Sequence, residues 1–341
     1  MTRRFFAAAI VVIVAAALLI AVWPQLFGLE RQPVVAQIVS LRGLAALVAG
    51  VGVVALLLIA LISRRLRRLA ASIALLLLVF TGVTAAVLAT RGANPAGFQT
   101  KAGADVTVLS WNTLGDSPGA AEIAKLALAQ HADIVSLPET STATAEAVAQ
   151  LMTQAGSPMH ELHVSFDQVA KSHTTSVLIS AALGAYRVDT GHGSTATLPS
   201  LVAVPVDGDG PTIVAAHVVS PVPGEMANWR QGLGWLSQRC GAGDDVILAG
   251  DFNSTLDHYA GLSASTPSGD GDLGACHDGA RAEGSAAVGT WPTSLPAQLG
   301  APIDHVMASD GWTFVGFRVI GSEDGSGSDH RPIVAQLRPG H

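Results

Sequence analysis

The first hundred residues of this chain contain no Asp, no Lys and a single Glu, although they contain nine Arg. Residues 101–341 hold the other 10 basic residues and 25 of the 26 acidic residues, which gives them a net charge of −15. Only 13% of all residues are charged, 49% are hydrophobic and the mean hydropathy is +0.43, which excludes an ordinary soluble protein. The sequence therefore divides near residue 100 into an apolar part and an acidic part.

Cysteine is also scarce, since Cys240 and Cys276 are the only two in the chain. They form no C-x-x-C pattern, which argues against a zinc site. A disulfide between them is chemically permitted if this part of the chain lies outside the cytoplasm. The sequence alone leaves the pairing open.

Three uncharged stretches of the apolar part are long enough to cross a bilayer, which needs roughly 20 apolar residues. They cover residues 5–29, 43–63 and 69–90. Each is apolar on all sides rather than along one stripe, which favours lipid over the core of a soluble bundle. The first stretch could instead be a secretory signal, because Arg3 and Arg4 precede it. Two spans would remain after cleavage, and we predict a retained three-helix anchor over residues 1–90.

The positions of the arginines predict the orientation of this anchor. Six of them precede the first span or lie between the second and third, namely Arg3, Arg4, Arg64, Arg65, Arg67 and Arg68. Because basic residues favour the cytoplasmic side, the N-terminus is expected in the cytoplasm, and three crossings leave residues 105–341 outside the cell membrane. By the same assignment Arg31, Arg42 and Arg91 fall on the outer side.

A linker rich in Gly, Ala and Pro, residues 91–104, leads into a region where helical stretches alternate with short apolar runs. We predict helices over residues 120–130, 143–155 and 228–240. We predict strands over residues 106–111, 133–137, 176–180, 201–206, 213–216, 247–253, 303–308 and 333–337. This alternation is typical of the α/β class.

The run ILAGDFN, residues 247–253, dominates the acidic part. Side chains alternate along a strand, so Asp251 and Asn253 point to one side and Phe252 to the other. An isolated D-x-N is more often an Asx turn. However, other polar residues also border apolar runs, and open α/β sheets place their sites at strand ends. These residues are Asn112, Glu139, His217, Asp304, Asp329 and His330.

Five segments resemble the endonuclease/exonuclease/phosphatase superfamily, which contains DNase I-like nucleases, inositol-polyphosphate 5-phosphatases and neutral sphingomyelinases. They are residues 109–112 (LSWN), 134–139 (IVSLPE), 249–253 (AGDFN), 303–309 (IDHVMAS) and 327–333 (GSDHRPI), and residues 289–292 (GTWP) also resemble members of the group. The most specific signal is D-F-N followed by S-D-H-x-P-I. The resemblance implies a DNase I-like four-layer α/β sandwich, with two packed mixed sheets flanked by helices, here preceded by three transmembrane helices.

The resemblance also implies a metal-dependent hydrolase of phosphoric esters or anhydrides. Glu139 matches the principal metal ligand, with Asn112 nearby and Asp329 as a further ligand. Oxygen ligands suit Mg²⁺, with Mn²⁺ or Ca²⁺ as alternatives.

Five further residues match catalytic positions of the family. His330 matches a histidine that acts as general base or contacts the phosphate, and Asp304 matches the carboxylate that orients it. Asp251 matches the residue that positions or deprotonates the attacking water, and Asn253 a phosphate-binding amide. His217 matches a second histidine that donates to a phosphoryl oxygen.

Residues outside these motifs are expected to be structural. We predict that Trp229 packs in the core and that Arg230 faces solvent. The remaining histidines lie in segments without a motif and are expected in loops or at the surface, namely His131, His160, His163, His173, His192, His258 and His277.

Charge and anchoring bear on the substrate. A net charge of −15 gives no bulk attraction for nucleic acid, whereas an anchor raises the effective concentration of lipid head groups. The layout resembles the membrane-bound VanJ-type glycopeptide-resistance proteins of actinobacteria, which implies hydrolysis of a polyprenyl (undecaprenyl) pyrophosphate or similar envelope lipid. Two alternatives stay open: an anchored extracellular nuclease or phosphodiesterase, including a sphingomyelinase-like enzyme, and an inactive binding module. The sequence predicts neither the presence nor the absence of protein partners.

Overall fold

The computed structural model describes residues 2–93, 97–167, 170–264 and 271–340. Its apolar part contains the helices α1 (Thr2–Val22), α2 (Val35–Ser40), α3 (Arg42–Ile62) and α4 (Arg67–Arg91). The three long helices α1, α3 and α4 are long and apolar enough to cross a membrane. A short turn joins α3 to α4, which pack side by side, and α1 packs against α4.

The first long helix is shorter than the apolar stretch that predicted it. It ends at Val22, and a short 3₁₀ helix follows over Pro24–Phe27. Proline has no N–H for the helix ladder and disfavours a helical conformation at the residue before it. Trp23 accordingly has non-helical φ and ψ angles of −138° and 64°, so the apolar run continues after the helix has ended.

Twelve strands are found in the described part of the acidic region. They are β1 (Val106–Ser110), β2 (Ile134–Pro138), β3 (Met159–Ser165), β4 (Thr174–Ser180), β5 (Tyr186–Val188), β6 (Leu201–Pro205), β7 (Thr212–His217), β8 (Val246–Asp251), β9 (His277–Asp278), β10 (Asp304–Ala308), β11 (Trp312–Val319) and β12 (Ile333–Pro339). The helices are α5 (Gly119–Ala129), α6 (Thr142–Gln154), α7 (Met226–Arg239) and α8 (Gly279–Ala282).

The strands form two six-stranded sheets, with the orders β11-β12-β1-β2-β4-β3 and β5-β6-β7-β8-β10-β9. Each sheet is mixed, because it contains one parallel pair, β1 with β2 and β7 with β8, among antiparallel neighbours. The eight interior strands are the eight that the sequence predicted. The four that it missed, β3, β5, β9 and β11, are the edge strands of the two sheets.

Alternation along the strands builds two cores. Val108 and Ile134 belong to the core that also contains the second sheet, while Leu109 and Val135 lie in the core beneath α5 and α6. On the far side of the second sheet, α7 buries apolar side chains such as Leu233. The resulting order is helix, sheet, sheet, helix, which confirms the predicted α/β sandwich preceded by three membrane-length helices.

Cys240 and Cys276 are joined by a disulfide, with their Cα atoms 5.8 Å apart. Cys240 directly follows α7 and Cys276 directly precedes β9. The bond therefore ties the helix that covers the second sheet to an edge strand of that sheet.

The apolar part is in direct contact with the acidic domain. Arg42 and Arg91 both bind the carboxylate of Asp257, which is only 3% exposed. Arg31 donates to the carbonyls of His258 and Ala260 at 2.6 and 2.7 Å. The three arginines that the sequence assigned to the outer side are therefore the ones that face the domain.

His258 lies in the same contact, and the expectation of a loop or surface side chain was wrong about its exposure. Its imidazole is fully buried, with Nδ1 bonded to the backbone N–H of Thr255 and Nε2 lying 3.2 Å from the carbonyl oxygen of Ala36. Burial lowers the pKa of His258 to about 4, so the ring stays neutral. A polar residue is tolerated here because both ring nitrogens have partners.

Candidate active site

Three candidate residues lie side by side at one edge of the second sheet. Asp251 is the register partner of His217 on β7 and of Asp304 on β10. The parallel strands β7 and β8 end at this edge, and the antiparallel strand β10 begins there. All three side chains are buried, with at most 2% exposure.

The first sheet contributes Asn112, just beyond β1, and Glu139, directly after β2. The Asn112 amide nitrogen lies 3.1 Å from Glu139 Oε1 and 3.1 Å from Asp251 Oδ2, so Asn112 bridges the two sheets. Its Oδ1 accepts from the backbone N–H of Leu114 at 3.0 Å. This network turns the amide nitrogen, and not the oxygen, toward the carboxylates.

Glu139 and Asn253 have left-handed backbones, with φ values of 57° and 46°. For residues other than glycine a left-handed backbone conformation costs free energy, so contacts with the surroundings must hold it in place. The carbonyl of Glu139 accepts from Thr113 Oγ1, and the carbonyl of Asn253 accepts from Trp229 Nε1, both at 3.0 Å. Trp229 is buried as predicted and also fixes the site.

Asn253 is bonded to its neighbours through both of its nitrogens. Its backbone N–H donates to Asp251 Oδ1 at 2.8 Å, and its Nδ2 donates to Asp251 Oδ2 at 3.0 Å and to the carbonyl of Val218 at 2.9 Å. The side-chain amide that was predicted to bind phosphate thus donates to Asp251 and to the carbonyl of Val218, and the backbone N–H gives the second bond to Asp251.

His330 is oriented by Asp304, since Nδ1 lies 2.9 Å from Asp304 Oδ2. Its Nε2 then lies 3.8 Å from Asp251 Oδ2 and 4.0 Å from Asp329 Oδ1. Trp111 Nε1 donates to the carbonyl of His330 at 2.9 Å, which fixes its backbone as well.

The pKa values of the buried groups are driven apart by their surroundings. Burial would lower the pKa of His330, but the charges of Asp304 and Asp251 outweigh it and raise the pKa to about 10. Burial, with a smaller contribution from Asp304, raises the pKa of Asp251 above its usual value. Burial also acts to raise the pKa of Glu139, but His217 and Asn112 more than offset it, so this pKa is lowered. The site therefore favours a charged imidazole, an ionised Glu139 and a carboxylate with increased basicity.

The donor set fits a hard divalent cation. The carboxylates of Asp251 and Asp304 bring oxygens within 4.8 Å of each other and of a ring nitrogen of His330. Asp304 Oδ1 and Asp329 Oδ1 are buried and have no hydrogen-bond partner among the described residues. Of the predicted metal ligands, Glu139 and Asn112 are in contact, while Asp329 lies beside His330. Carboxylate oxygens without partners are the ligands that Mg²⁺ and Ca²⁺ prefer.

Three residues that position this site were not singled out from the sequence. Thr290 Oγ1 accepts from the backbone N–H of Asp304 at 3.2 Å, and Trp291 Nε1 donates to Asp329 Oδ2 at 2.9 Å. Ser328 Oγ donates to the carbonyl of Asn112 at 2.6 Å and accepts from the N–H of His330. The first two belong to the GTWP segment, for which the sequence predicts no role.

Comparisons with known proteins agree with this architecture. The chain resembles a TDP2 of D. rerio humanized by 14 mutations, with 18% identity, a TM-score of 0.52 and coverage of 69% of this chain and 99% of that one. A second D. rerio TDP2 structure, complexed with a single-strand DNA product, gives 19% identity, a TM-score of 0.51 and the same coverage. An endonuclease/exonuclease/phosphatase from Beutenbergia cavernae gives 18% identity, a TM-score of 0.49 and coverage of 69% and 72%.

At these identities the two TDP2 structures, with TM-scores above 0.5, show a shared fold and no more. Among curated protein sequences, none matches the chain significantly. A family model does match, and its match spans residues 109–330, which is more than half of the chain and includes every candidate site residue. The chain belongs to the endonuclease/exonuclease/phosphatase family.

Proposed function

We propose that this protein is a membrane-anchored, metal-dependent phosphohydrolase that acts outside the cytoplasm on the phosphate groups of an envelope lipid such as a polyprenyl pyrophosphate. The observation that carries the proposal is the buried contact of Arg42 and Arg91 with Asp257. Asp257 follows Asp251 and Asn253 in the same segment of the domain. A site held this close to the ends of membrane-length helices meets lipid head groups at high effective concentration.

We propose an anchor over residues 1–90, a linker over residues 91–104 and a catalytic domain over residues 105–341. The start of α1 and the turn between α3 and α4, which carry six arginines, lie at the end of the helices away from the domain. The positive-inside bias supports a cytoplasmic N-terminus and a domain on the opposite side of the membrane. A disulfide within the domain agrees with that side, because disulfides persist in oxidising compartments.

The proposed cofactor is Mg²⁺, with Mn²⁺ or Ca²⁺ as alternatives. Glu139 and Asp329, the two predicted carboxylate ligands, would hold it. The bound cation would offset the negative charge that builds on the phosphoryl group during in-line attack. Asn112 keeps its nitrogen toward Glu139, so we assign it the role of positioning that carboxylate.

The chain's own residues supply the proton transfer and orientation. Asp251, whose pKa is raised by burial, accepts the proton of the attacking water while Asn253 holds both of its oxygens. The new P–O bond forms as the bond from phosphorus to the leaving oxygen breaks. His330, kept charged by Asp304, donates to a phosphoryl oxygen through Nε2, and His217 donates to a second one.

Phosphate release by the full-length protein in detergent tests the proposal. We expect release from undecaprenyl pyrophosphate in Mg²⁺, none in EDTA, and a large loss in the His330→Ala variant, whose folding is checked by thermal unfolding. Duplex DNA and sphingomyelin serve as competing substrates. Nicking of DNA without turnover of lipid would overturn the lipid assignment and leave the phosphohydrolase mechanism. A well-folded protein that is silent on every substrate would favour a binding module.

A further inference from the structure

An apolar groove of about 1060 Å³ lies between the membrane-length helices and the acidic domain. Its helical wall includes Leu18 of α1, Val48 of α3 and Phe80 of α4, and its other wall includes Pro221 and Val222 of the domain. Gln37 has the one polar side chain among the described residues that line it. The volume lies slightly above the roughly 300–1,000 Å³ that small-molecule sites occupy.

The groove extends into the depth of one membrane leaflet. On α3 its lining runs over residues 44–52, about 12 Å of helix at roughly 1.5 Å per residue. On α1 it ends at Ala21, just before Trp23, which is 58% exposed, and exposed Trp is typical of the membrane surface. The hydrocarbon core of a bilayer is about 30 Å thick, so the part of the groove on α3 covers less than half of it on the domain side.

The wall of the groove and the candidate active site are parts of one backbone segment. Pro221 follows His217 by four residues, and four extended residues span at most roughly 14 Å. The carbonyl of Val218 accepts from Asn253 Nδ2 at 2.9 Å, so this segment leaves directly from the site. A head group at the site and a hydrocarbon chain in the groove are therefore within reach of one lipid molecule.

A second connection fixes the distance between the groove and the site. Met226 lines the groove and begins α7, and one helical turn later Trp229 Nε1 donates to the carbonyl of Asn253. Gln37 Nε2 donates to the carbonyl of Pro221, which ties the domain loop to the segment after α1. The groove is thus held to the same residues that hold Asn253.

We propose that the groove binds the hydrocarbon chain of the phosphorylated lipid whose head group is hydrolysed. The inference rests on the proposed function and adds a recognition element to it. A water-soluble compound with the same pyrophosphate lacks the chain, and an ordinary bilayer lipid lacks the head group that reaches the site. The enzyme then selects its substrate by the joint presence of chain and phosphate.

A matched pair of substitutions on α3 tests the groove in nanodiscs with Mg²⁺. Val48 and Val51 are both 63% exposed, but Val48 lines the groove and Val51 does not. We expect Val48→Trp to lower kcat/KM for a polyprenyl pyrophosphate by about tenfold or more, mainly through KM, because the indole fills the groove. Turnover of dimethylallyl pyrophosphate stays unchanged, and Val51→Trp behaves as the wild type. Equal effects of both substitutions, or equal kcat/KM for long and short chains in the wild type, would overturn the proposal.

Photocrosslinking tests whether the hydrocarbon chain binds in the groove, and it does not depend on catalysis. A polyprenyl phosphate with a diazirine in its chain is incubated with the protein in EDTA, and labelled peptides are mapped. We expect labelling of the segment around residues 221–226 and of the first turns of α3, competed by unlabelled polyprenyl phosphate. Equal competition by an ordinary phospholipid would show that the groove binds bilayer lipids without selectivity, and this would overturn the proposal. A specific crosslink without any lipid turnover would preserve the groove while rejecting the proposed function.

Discussion

The guanidinium of Arg42 binds the carboxylate of Asp257 at two points, with Nε and Nη2 lying 2.8 and 2.7 Å from its oxygens. Arg42 opens α3, and Asp257 lies in the acidic domain just after the candidate active-site residues. Arg91, at the end of α4, binds the same carboxylate at 2.8 Å. The domain is therefore fastened to two of the three membrane-length helices through one buried acid.

Removing the charge of Asp257 tests this fastening. In Asp257→Asn two arginines lose their shared partner, and breaking a buried pair costs roughly 3–5 kcal/mol. We expect a lower free energy of unfolding for the full-length protein in detergent, measured by chemical denaturation, and faster proteolysis near residue 91. Asp209→Asn, at an exposed position, is the matched control. Equal stability of Asp257→Asn and the wild type would show that the contact contributes nothing.

The same carboxylate predicts a dependence of stability on pH. Burial acts to raise the pKa of Asp257, but Arg91 and Arg42 outweigh it and hold the pKa well below its usual range. Between the folded value and the unfolded value of about 3.9, the unfolded chain binds more protons, so stability falls as the pH falls. The unfolding temperatures of wild type and Asp257→Asn should therefore differ by a constant amount from pH 7 to 5. Below about pH 4 the two should converge, and divergence there would contradict the pairing.

The limits of prediction follow the geometry of the sheets. Interior strands are buried on both faces, so β8 and β10 carry continuous apolar or small runs that stand out in the sequence. Edge strands are only partly buried, and β3 (MHELHVS) alternates polar and apolar residues without a clear apolar face. In β11 a glycine and a register shift between Phe314 and Gly316 interrupt the pattern. Pairing with a neighbour creates these strands, and a single sequence does not reveal the neighbour.

The same distinction applies to the candidate site. Asp251, Asp304 and His217 are foreseeable because strand register brings strand ends to one edge. Thr290 and His258 act through contacts with segments distant in sequence, and their neighbours, Asp304 and Ala36, are known only once the chain has folded. The contact of Arg42 with Asp257 could not be predicted either, because the positive-inside bias uses an arginine near a span only to assign topology.

The disulfide has a measurable effect of its own. Cys240 and Cys276 are 36 positions apart, and closing a loop of this length is worth about 3–4 kcal/mol in the chain-entropy model. The double variant Cys240→Ala/Cys276→Ala should lose up to this amount of unfolding free energy. Treatment of the wild type with a reductant should give a similar loss, while the reduced double variant should show no further change. Identical stability with and without reductant would exclude a structural role for the bond.

Glu139 gives a test of the metal site. Loss of an outer-shell partner typically costs 10–100-fold in metal affinity, so loss of a principal ligand should cost at least about as much. We expect Glu139→Gln to raise the Mg²⁺ concentration for half-maximal phosphate release by this factor, and Mn²⁺ binding followed by electron paramagnetic resonance to weaken in parallel. Glu146→Gln, on the exposed face of α6, is the control. Unchanged Mn²⁺ binding in Glu139→Gln would remove this residue from the metal site.

Thr290 offers the sharpest test of how the site is held together. Its hydroxyl accepts from the N–H groups of Ile303 and Asp304 at 3.1 and 3.2 Å, at the point where Asp304 meets His330. Thr290→Val keeps the shape but leaves two buried donors without an acceptor, which costs about 1–3 kcal/mol of stability. Because small displacements of catalytic groups are costly, we expect kcat to fall by about 10–100-fold with KM unchanged.

Thr290→Ser provides the rescue, because serine restores the acceptor and lacks only the methyl group. A recovered kcat in Thr290→Ser would assign the effect to the hydrogen bonds that position Asp304, and not to the loss of packing. If Thr290→Val instead raised KM at constant kcat, the hydroxyl would act on substrate binding. The pairing of β10 with β8 and the bond to His330 would then be what positions Asp304, and not the hydroxyl of Thr290.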